Sequence, residues 1–429
     1  MQLKNILINL ALTLFSICFC LGIAEFSFRI VLFSDNPHFE FLRKPGLYAD
    51  WDSDDNYWKL LHQFDSTHKP PSHPHPKLGW VIDFGRKTYY HYKYKYLGNK
   101  RPILLYGDSF AMCVKQSECF QDILNSDTSF TNKNYLINYG VGGYGVDQIT
   151  LLCEATAKKY YKPLVILSLL TTDLDRSILE VRTGQKPHYS LENNTIKLSN
   201  DSIYKSAETY YNQNPHDISS FLYSKFKHSK WGPEIDDKRE HKKKLNQEIL
   251  LKTISFLTEN EIEFVVLIFH PWRDINSETG GWRTQFIESL LTKNDIPYIS
   301  SREVVRKDII SKHDSVSPAV FEQYIIPDDG HPTTLYNELI SKEIHQTATK
   351  SKVDTNDRIH FLKKRDSVLF QNDPLYYADY LITKKQEIQN DKSIMNRLKE
   401  QAEDNDMELN VLIEKKANWL IFKDESKIE

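Results

Sequence analysis

Cysteine is scarce in this chain, which limits the disulfide and metal chemistry that the sequence can support. Only five of the 429 residues are cysteine. Two of them, Cys18 and Cys20, lie in an apolar leader, and three remain: Cys113, Cys119 and Cys153. Three cysteines provide neither a disulfide framework nor a zinc-ligand pattern. A Cys113–Cys119 bridge is conceivable in an oxidising compartment, but we expect three unpaired core residues because an odd set cannot pair completely.

An excess of charge of either sign is also missing. The formal net charge is −3 at pH 7, and 55 Lys and Arg residues are spread among 58 Asp and Glu residues. Nucleic-acid-binding proteins concentrate basic residues on one surface, so this composition argues against a nucleic-acid partner. The chain also lacks the Gly-x-x-x-x-Gly-Lys-Ser/Thr phosphate loop, which argues against an intracellular nucleotide-binding protein.

A long apolar run is present near the start of the chain. At about 1.5 Å per residue in a helix, Ile6–Ile23 is long enough to cross a hydrocarbon core of about 30 Å. The small residues Gly22 and Ala24 form a pattern that a signal peptidase could cut, but apolar residues resume over Phe26–Phe33. We therefore predict that segment 1–33 is an uncleaved membrane anchor, with a cleaved signal segment as the alternative. Charge around the run gives only a weak orientation signal, and an extracytoplasmic location of the rest of the chain is an expectation.

Composition divides the remaining chain into three segments. Residues 34–100 are predicted to be an extension and linker. The part up to about Pro76 is polar with clustered prolines, which predicts irregular structure and solvated histidines that bind no metal. The segment His75–Trp80 is interpreted as a packing element that docks this extension. Residues 101–349 alternate apolar runs with amphipathic stretches around a Tyr- and Asn-rich insertion at about 173–244. Residues 350–429 are charged with apolar residues at helical spacing. This spacing predicts a helical hairpin, which packs on its own domain or binds a protein partner.

Five short apolar runs in segment 101–349 are predicted to be buried strands. They are Ile103–Tyr106, Tyr135–Val141, Leu164–Leu170, Glu263–His270 and Tyr298–Ser300. Because amphipathic stretches separate them, we predict an α/β domain in which helices cover both faces of a parallel sheet.

A nucleophile and a base lie near predicted element ends. Ser109 follows the first strand within Gly107–Phe110, where a strand passes into a helix. A hydroxyl there lies at the carboxyl edge of the sheet, and the helix amino terminus can stabilise developing negative charge. Serine needs a base to become a nucleophile. Asp328 and His331, three residues apart in a turn before a helix, can supply an imidazole oriented by a carboxylate.

Several of these segments resemble the SGNH (GDSL-like) hydrolase superfamily over roughly residues 102–349. Gly107–Phe110 is similar to the first block of that family, and Asn138–Gly145 is similar to the second. Asp328–His331 is similar to the last block. The blocks occur in the order of the family and follow predicted strands or precede a predicted helix.

The resemblance also implies an oxyanion hole. By position, Gly143 of the second block would donate its N–H to the reacting oxygen. The third block departs from the family pattern, because Leu170–Asp173 has Thr172 where the family places an oxyanion-donating Asn. A threonine hydroxyl can donate one hydrogen bond but has a shorter reach than an amide, and the loss of one such donor costs about 100-fold or more in rate.

The resemblance implies a flavodoxin-like three-layer α/β/α sandwich with one active site, no metal and no cofactor. The implied activity is ester hydrolysis through an acyl-enzyme, with Ser109 as nucleophile, His331 as base and Asp328 orienting it. The expected substrate is an acylated carbohydrate or another ester, and O-acyl groups of extracytoplasmic glycans are favoured. Two alternatives stay open: an O-acyltransferase acting on cell-surface polysaccharide, and a catalytically weakened scaffold or glycan-binding protein.

Two further pairs of residues lie near strand ends and are secondary candidates. Trp272 and Arg273 follow His270 at the end of the fourth predicted strand, and Trp282 and Arg283 lie just beyond. An Arg or Trp in such a place can hold a sugar or a carboxylate. Packing is the simpler interpretation of both tryptophans.

Overall fold

A computed structural model describes most of the chain. The described residues are 2–65, 74–75, 77–82, 100–193, 195–199, 203, 207–232, 238–313, 318–350, 381, 384–404 and 407–425. The chain divides into two compact units. The first unit is Met1–Trp80 with Asp175–Leu245, and the second is Val81–Leu174 with Asn246–Glu429. The insertion predicted at about 173–244 thus folds with the amino-terminal segment.

The helices and strands of the described residues have the following bounds. The helices are α1 Gln2–Leu32, α2 Asp55–Phe64, α3 Ser109–Met112, α4 Phe120–Ser126, α5 Thr128–Thr131, α6 Val146–Thr156, α7 Asp173–Arg176, α8 Ala207–Gln213, α9 Phe221–Lys227, α10 Arg239–Glu259, α11 Trp272–Asn276, α12 Trp282–Lys293, α13 Ser301–Lys312, α14 Pro318–Tyr324, α15 Thr334–Lys350, α16 Lys392–Asp404 and α17 Leu409–Glu425. The strands are β1 Pro74–His75, β2 Gly79–Trp80, β3 Arg101–Gly107, β4 Asn134–Gly140, β5 Leu164–Leu170, β6 Val181–Arg182, β7 Gly184–Gln185, β8 Tyr189–Glu192, β9 Thr195–Leu198, β10 Glu263–Phe269 and β11 Tyr298–Ser300. Short 3-10 helices cover Pro37–Leu42, Pro45–Leu47 and Ala157–Lys159.

A five-stranded sheet forms the middle of the second unit. Its strand order is β11-β10-β5-β3-β4, and every neighbouring pair is parallel. Numbered by chain order within the sheet, and read from the β4 edge, this is the flavodoxin-like order 2-1-3-4-5. The predicted parallel sheet is confirmed, and the five predicted strands agree with the observed ones to within two residues at each end.

Alternate residues of the central strands face two different layers of helices. Ile103 and Leu105 of β3 belong to a buried cluster with apolar residues of α4, α13 and α15. Tyr106 faces the other way, and its hydroxyl lies 2.7 Å from Thr156 Oγ1 at the end of α6. All residues of β3 and β5 are buried. The predicted three-layer α/β/α sandwich is therefore confirmed.

Helix α3 lies very close to β3 and β4. An ideal Cβ on Gly107 would stand 2.6 Å from Ala111 Cβ, and one on Gly140 would stand 2.3 Å from Met112 N. Side-chain carbons do not tolerate such distances, so glycine at both positions allows α3 to approach the sheet. Asn138 of β4 holds this contact, because its Nδ2 donates to the Ala111 carbonyl at 2.7 Å and its Oδ1 accepts the Gly140 N–H at 2.8 Å.

The first unit has apolar cores of its own. Leu32, Tyr48 and Phe221 belong to one buried cluster, which α2 joins through Leu60. Residues 34–65 form α2 and two 3-10 helices, so the predicted irregular structure is wrong there. Their apolar side chains find partners in the insertion, far along the chain. Local periodicity does not reveal such a pairing.

His75 is buried in the first unit, whereas the sequence predicts a solvated histidine. It is 3% exposed, and its Nδ1 accepts the N–H groups of Lys77 at 3.2 Å and Leu78 at 3.1 Å. These bonds close the tight hairpin that pairs β1 with β2. The same prediction for His68 and His73 lies outside the described residues.

Helix α1 is the only helix among the described residues that is long and apolar enough to cross a membrane. Its side chains over Ile6–Ile23 are exposed. The residues that follow join the folded first unit: Glu25 accepts the Phe221 N–H at 2.9 Å, and Arg29 donates to the Ser219 carbonyl at 2.9 Å. A signal sequence passes the same test of length and composition.

The helical hairpin predicted near the carboxyl terminus is confirmed. Helices α16 and α17 pack together through a buried cluster that contains Leu398, Ile413 and Ala417. Ile388, from helical residues 384–390, joins the same cluster. Residues 351–380 of the predicted tail lie outside the described residues. A protein partner for the tail stays a prediction.

We expect Gly140→Ala to lower the free energy of unfolding by about 1–3 kcal/mol, because β4 or α3 must shift to admit the methyl group. Gly142→Ala is the matched control, since its Cβ would lie 3.3 Å from the flexible end of Met112 and 3.9 Å from Ser109 Cβ, which needs little or no movement of the backbone. Urea unfolding followed by tryptophan fluorescence measures both variants. Equal stability of the two would contradict the close approach of α3.

Candidate functional site

Ser109 lies where the sequence predicts it, at the carboxyl end of β3 and at the start of α3. Asp108 precedes it as the helix cap: this carboxylate is fully buried and accepts the Phe110 N–H at 2.8 Å. The strand order changes direction between β3 and β5, so Ser109 stands at the topological switch point of the sheet. In open α/β sheets this is where ligands bind.

His331 is brought to Ser109 from the other end of the domain. Its Nε2 lies 2.9 Å from Ser109 Oγ, within hydrogen-bond distance. The Ser109 hydroxyl is farther from Asp108, at 3.4 Å from Oδ2. The imidazole packs beside the Phe110 ring, with 5.4 Å between ring centroids. The predicted nucleophile and base are thus in contact in the structure.

Asp329 is the carboxylate that contacts His331. The predicted contact between Asp328 and His331 does not form. Asp329 Oδ1 lies 2.5 Å from His331 Nδ1 and also accepts the His331 backbone N–H at 3.2 Å. The chain Asp329–His331–Ser109 therefore has the geometry of a carboxylate, an imidazole and a hydroxyl in series.

The loop around Asp328 explains this difference. The Ile326 N–H donates to the His331 carbonyl at 2.8 Å, and the Gly330 N–H donates to the Ile326 carbonyl at 3.0 Å. Asp328 and Gly330 have left-handed backbone conformations, with φ values of 62° and 82°. The chain reverses within this loop. Asp328, three residues before His331, therefore does not reach its imidazole. Asp329, two residues before it, does.

The second predicted block lies beside Ser109. After β4 the Val141 N–H donates to the Gly107 carbonyl at 2.9 Å, which extends the contact between the two strands. An ideal Cβ on Gly142 would stand 3.9 Å from Ser109 Cβ, so this turn passes next to the serine. Gly143 follows with φ 84°. Its role as oxyanion donor stays a prediction.

The third predicted block follows β5, the strand on the other side of β3. Thr172 is half-buried, whereas Thr171 is fully buried and its N–H donates to the Phe269 carbonyl at 3.1 Å. Buried Asp173 accepts the Leu170 N–H at 2.8 Å and thereby closes the turn. Thr172 is thus the more accessible of the two threonines at this edge, and its role as oxyanion donor stays a prediction.

Cys113 and Cys119 form a disulfide, and the prediction that they are unpaired is wrong. The backbone of Cys113 is left-handed, with φ 64°, so the chain turns sharply after α3 and returns to within 5.6 Å between the two Cα atoms. Glu118, inside the closed loop, donates its N–H to Thr334 Oγ1 at 2.9 Å and accepts Asn337 Nδ2 at 2.8 Å. The loop therefore connects α3 with α15.

The secondary candidates lie in different surroundings. His270 is fully buried at the end of β10, where its Nδ1 lies 3.1 Å from Ser301 Oγ. Trp272 packs on Phe321 with 4.5 Å between ring centroids, which agrees with the packing interpretation. The Arg273 side chain is 77% exposed.

The geometry places a serine hydroxyl within hydrogen-bond distance of an imidazole at the carboxyl edge of a parallel sheet. The four sequence blocks lie after β3, β4 and β5 and before α15, which is the SGNH-like arrangement that the sequence predicts. The sequence pattern does not identify Asp329, although it adjoins Asp328, and it does not reveal the hydrogen bonds of Asn138 within the second block. Among the described residues, no group of three or more His, Cys, Asp or Glu side chains could hold a metal ion.

Comparisons with known proteins give structural neighbours only. No family model and no curated protein matches the chain. A member of the lipolytic protein G-D-S-L family from Veillonella parvula is 12% identical with a TM-score of 0.32, over 58% of this chain and 100% of that one. The acetyl xylan esterase AlAXEase is 14% identical with a TM-score of 0.31, over 57% and 98%. A variant of Axe2, an acetyl-xylooligosaccharide esterase from Geobacillus, is 11% identical with a TM-score of 0.31, over 60% and 98%.

We expect Asp329→Asn to slow the labelling of Ser109 by a fluorophosphonate probe by about 100-fold or more, because the amide no longer holds the imidazole as a base. Asp328→Asn is the matched control and should stay within about threefold of the unaltered protein. Second-order labelling rates measure both variants. The reverse order of effects would assign the orienting role to Asp328.

The burial of His270 predicts that the free energy of unfolding depends on pH. Burial lowers its pKa to about 3, against about 6.5 for an exposed histidine. As the pH falls below about 6.5, the unfolded chain binds a proton that the folded chain does not. The free energy of unfolding therefore decreases toward pH 3, by up to about 1.4 kcal/mol per pH unit. Denaturant unfolding between pH 7 and pH 4 should therefore show a weaker decline for His270→Gln. Parallel curves would contradict the burial of a neutral imidazole.

Proposed function

We propose that this protein is a serine ester hydrolase of the SGNH type. The observation that carries the proposal is the contact of His331 Nε2 with Ser109 Oγ at 2.9 Å, with Asp329 at 2.5 Å from the other ring nitrogen. Serine becomes a nucleophile when a base accepts its proton, and the carboxylate keeps the imidazole in the tautomer that can accept it. The position of Ser109 at the carboxyl edge of the sheet leaves it partly accessible to a substrate.

The reaction follows from these contacts. Ser109 Oγ bonds to the ester carbonyl carbon while its proton passes to His331 Nε2, and the carbonyl oxygen becomes an oxyanion. The N–H groups of Ser109 and Gly143, with the Thr172 hydroxyl, are the proposed donors to that oxygen. Collapse of the intermediate breaks the bond to the alkoxide, which takes the proton from His331. Water, deprotonated by the same imidazole, then releases the acid from Ser109.

The proposed substrates are O-acyl groups of extracytoplasmic glycans. This part of the proposal depends on α1 as an uncleaved anchor, and on the resemblance of the sequence to membrane-anchored SGNH enzymes that act on polysaccharide esters. If a sugar hydroxyl replaces water in the second half of the reaction, the same residues make the protein an O-acyltransferase. The two activities differ only in the acceptor that reaches the acyl-enzyme.

One observation favours a second candidate, a scaffold or glycan-binding protein with weakened catalysis. Thr172 stands where the family places an Asn, and its hydroxyl reaches less far than an amide. The loss of an oxyanion donor lowers the rate without removing the nucleophile. The contact between Ser109 and His331 supports the hydrolase instead.

The test is hydrolysis of p-nitrophenyl acetate by the full chain in mild detergent, compared with Ser109→Ala. We expect the variant to lose turnover by at least about 1,000-fold, because the proposed acyl-enzyme forms on the Ser109 hydroxyl. Ser311→Ala, a change at an exposed serine of α13, is the control and should keep full activity. Fluorophosphonate labelling of the unaltered protein and its loss in Ser109→Ala provide a second measurement.

Turnover that survives in Ser109→Ala would refute Ser109 as the nucleophile. The absence of both turnover and labelling in the unaltered protein would favour the scaffold. If turnover is found, adding a sugar alcohol and measuring its acetylated product distinguishes transfer from hydrolysis.

A further inference from the structure

Helix α9 lies beside α1 at the point where the apolar run of α1 ends. The carboxylate of Glu25 accepts hydrogen bonds from the first residues of α9 and its cap: Ser220 Oγ at 2.9 Å, Phe221 N at 2.9 Å and Leu222 N at 3.1 Å. Glu25 is two residues past Ile23, or about 3 Å along the helix. The start of α9 is therefore level with the end of the exposed apolar run Ile6–Ile23 of α1.

Large aromatic side chains on and just after α9 are exposed. The exposed fractions are 63% for Tyr223, 52% for Phe226 and 75% for Trp231. Aromatic residues exposed in a group mark an interaction surface more often than isolated ones do. Tyrosine and tryptophan are enriched at the boundary between lipid and water, where an amphipathic ring fits the headgroup region.

Basic residues alternate with these aromatic ones. Lys225, Lys227 and Lys230 lie on the same short segment, and Lys225 Nζ is 5.5 Å from the ring centre of Phe28 on α1. No acidic residue interrupts Phe221–Trp231. A cluster of lysines beside a membrane-spanning helix attracts anionic lipid headgroups.

We propose that Phe221–Trp231, the α9 surface, binds the surface of the bilayer that α1 enters. Its three exposed aromatic side chains would lie among the headgroups, and its lysines would bind anionic phospholipids. The inference rests on the anchoring part of the proposed function and does not depend on ester hydrolysis. Arg29 strengthens the link, because its guanidinium lies 5.0 Å from the ring centre of Phe221 and bonds to Glu25 at 2.7 Å. These contacts join the anchor to the α9 surface.

The test uses tryptophan fluorescence of the full chain in liposomes whose lipids carry bromine near the headgroup. None of the seven tryptophans lies in α1, so quenching reports on tryptophans outside the span. We expect Trp231→Phe to remove at least about half of the quenched signal. Trp51→Phe removes another exposed tryptophan of the first unit, 48% exposed, and should leave that signal in place.

A second comparison tests the charges. In liposomes with anionic lipid, replacing Lys225, Lys227 and Lys230 by Gln should reduce the quenching of Trp231 to its level in zwitterionic lipid. Replacement of the three lysines by Arg keeps the charge and should preserve the quenching of Trp231. Added salt should weaken the difference, since screening shortens the reach of these charges.

The proposal fails if Trp231→Phe and the unaltered protein are quenched equally while both resist extraction from the liposomes by alkaline carbonate. The α9 surface would then not bind lipid, although α1 would still be an anchor. Extraction by carbonate would overturn the anchor and, with it, this inference. Hydrolysis of p-nitrophenyl acetate in detergent is measured separately, so failure of the active site is distinguished from both outcomes.

Discussion

The close approach of α3 to β3 and β4 is the constraint on which the site depends. Gly107 and Gly140 leave no room for side chains at the two contact points, and Asn138 fastens the helix to β4. Ser109 is the first residue of that helix, so any outward movement of α3 carries the hydroxyl with it. A hydrogen bond of 2.9 Å to His331 does not survive a displacement of about 1 Å.

The carboxylate of the site is open to water. The Asp329 side chain is 36% exposed and that of His331 is 23% exposed. Water screens the attraction between charges, so this pair contributes little to the stability of the fold. Its contribution is geometric: Asp329 bonds to both the ring and the backbone N–H of His331 and thereby fixes the direction of the imidazole. Orientation of this kind persists in a solvated loop because the loop itself is closed by backbone hydrogen bonds.

Much of the second unit follows from local sequence patterns. The strands were predictable because their residues are apolar and buried on both faces, and Ser109 and His331 because each stands at an element end. The choice between Asp328 and Asp329 depends on two left-handed residues within one loop, which residue spacing does not reveal. The Cys113–Cys119 bridge depends in the same way on the backbone of Cys113. The fold of residues 34–65 depends on distant partners, which no local pattern encodes.

The disulfide also makes the site sensitive to where the chain resides. It closes the loop that carries Glu118, and Glu118 bonds to both Thr334 and Asn337 at the start of α15. Cytosolic thiols stay reduced, whereas exported chains are oxidised. A chain with reduced thiols would therefore lack the covalent link between α3 and the loop bound to α15. The geometry around Ser109 would thus be covalently complete only in a chain that has reached an oxidising compartment.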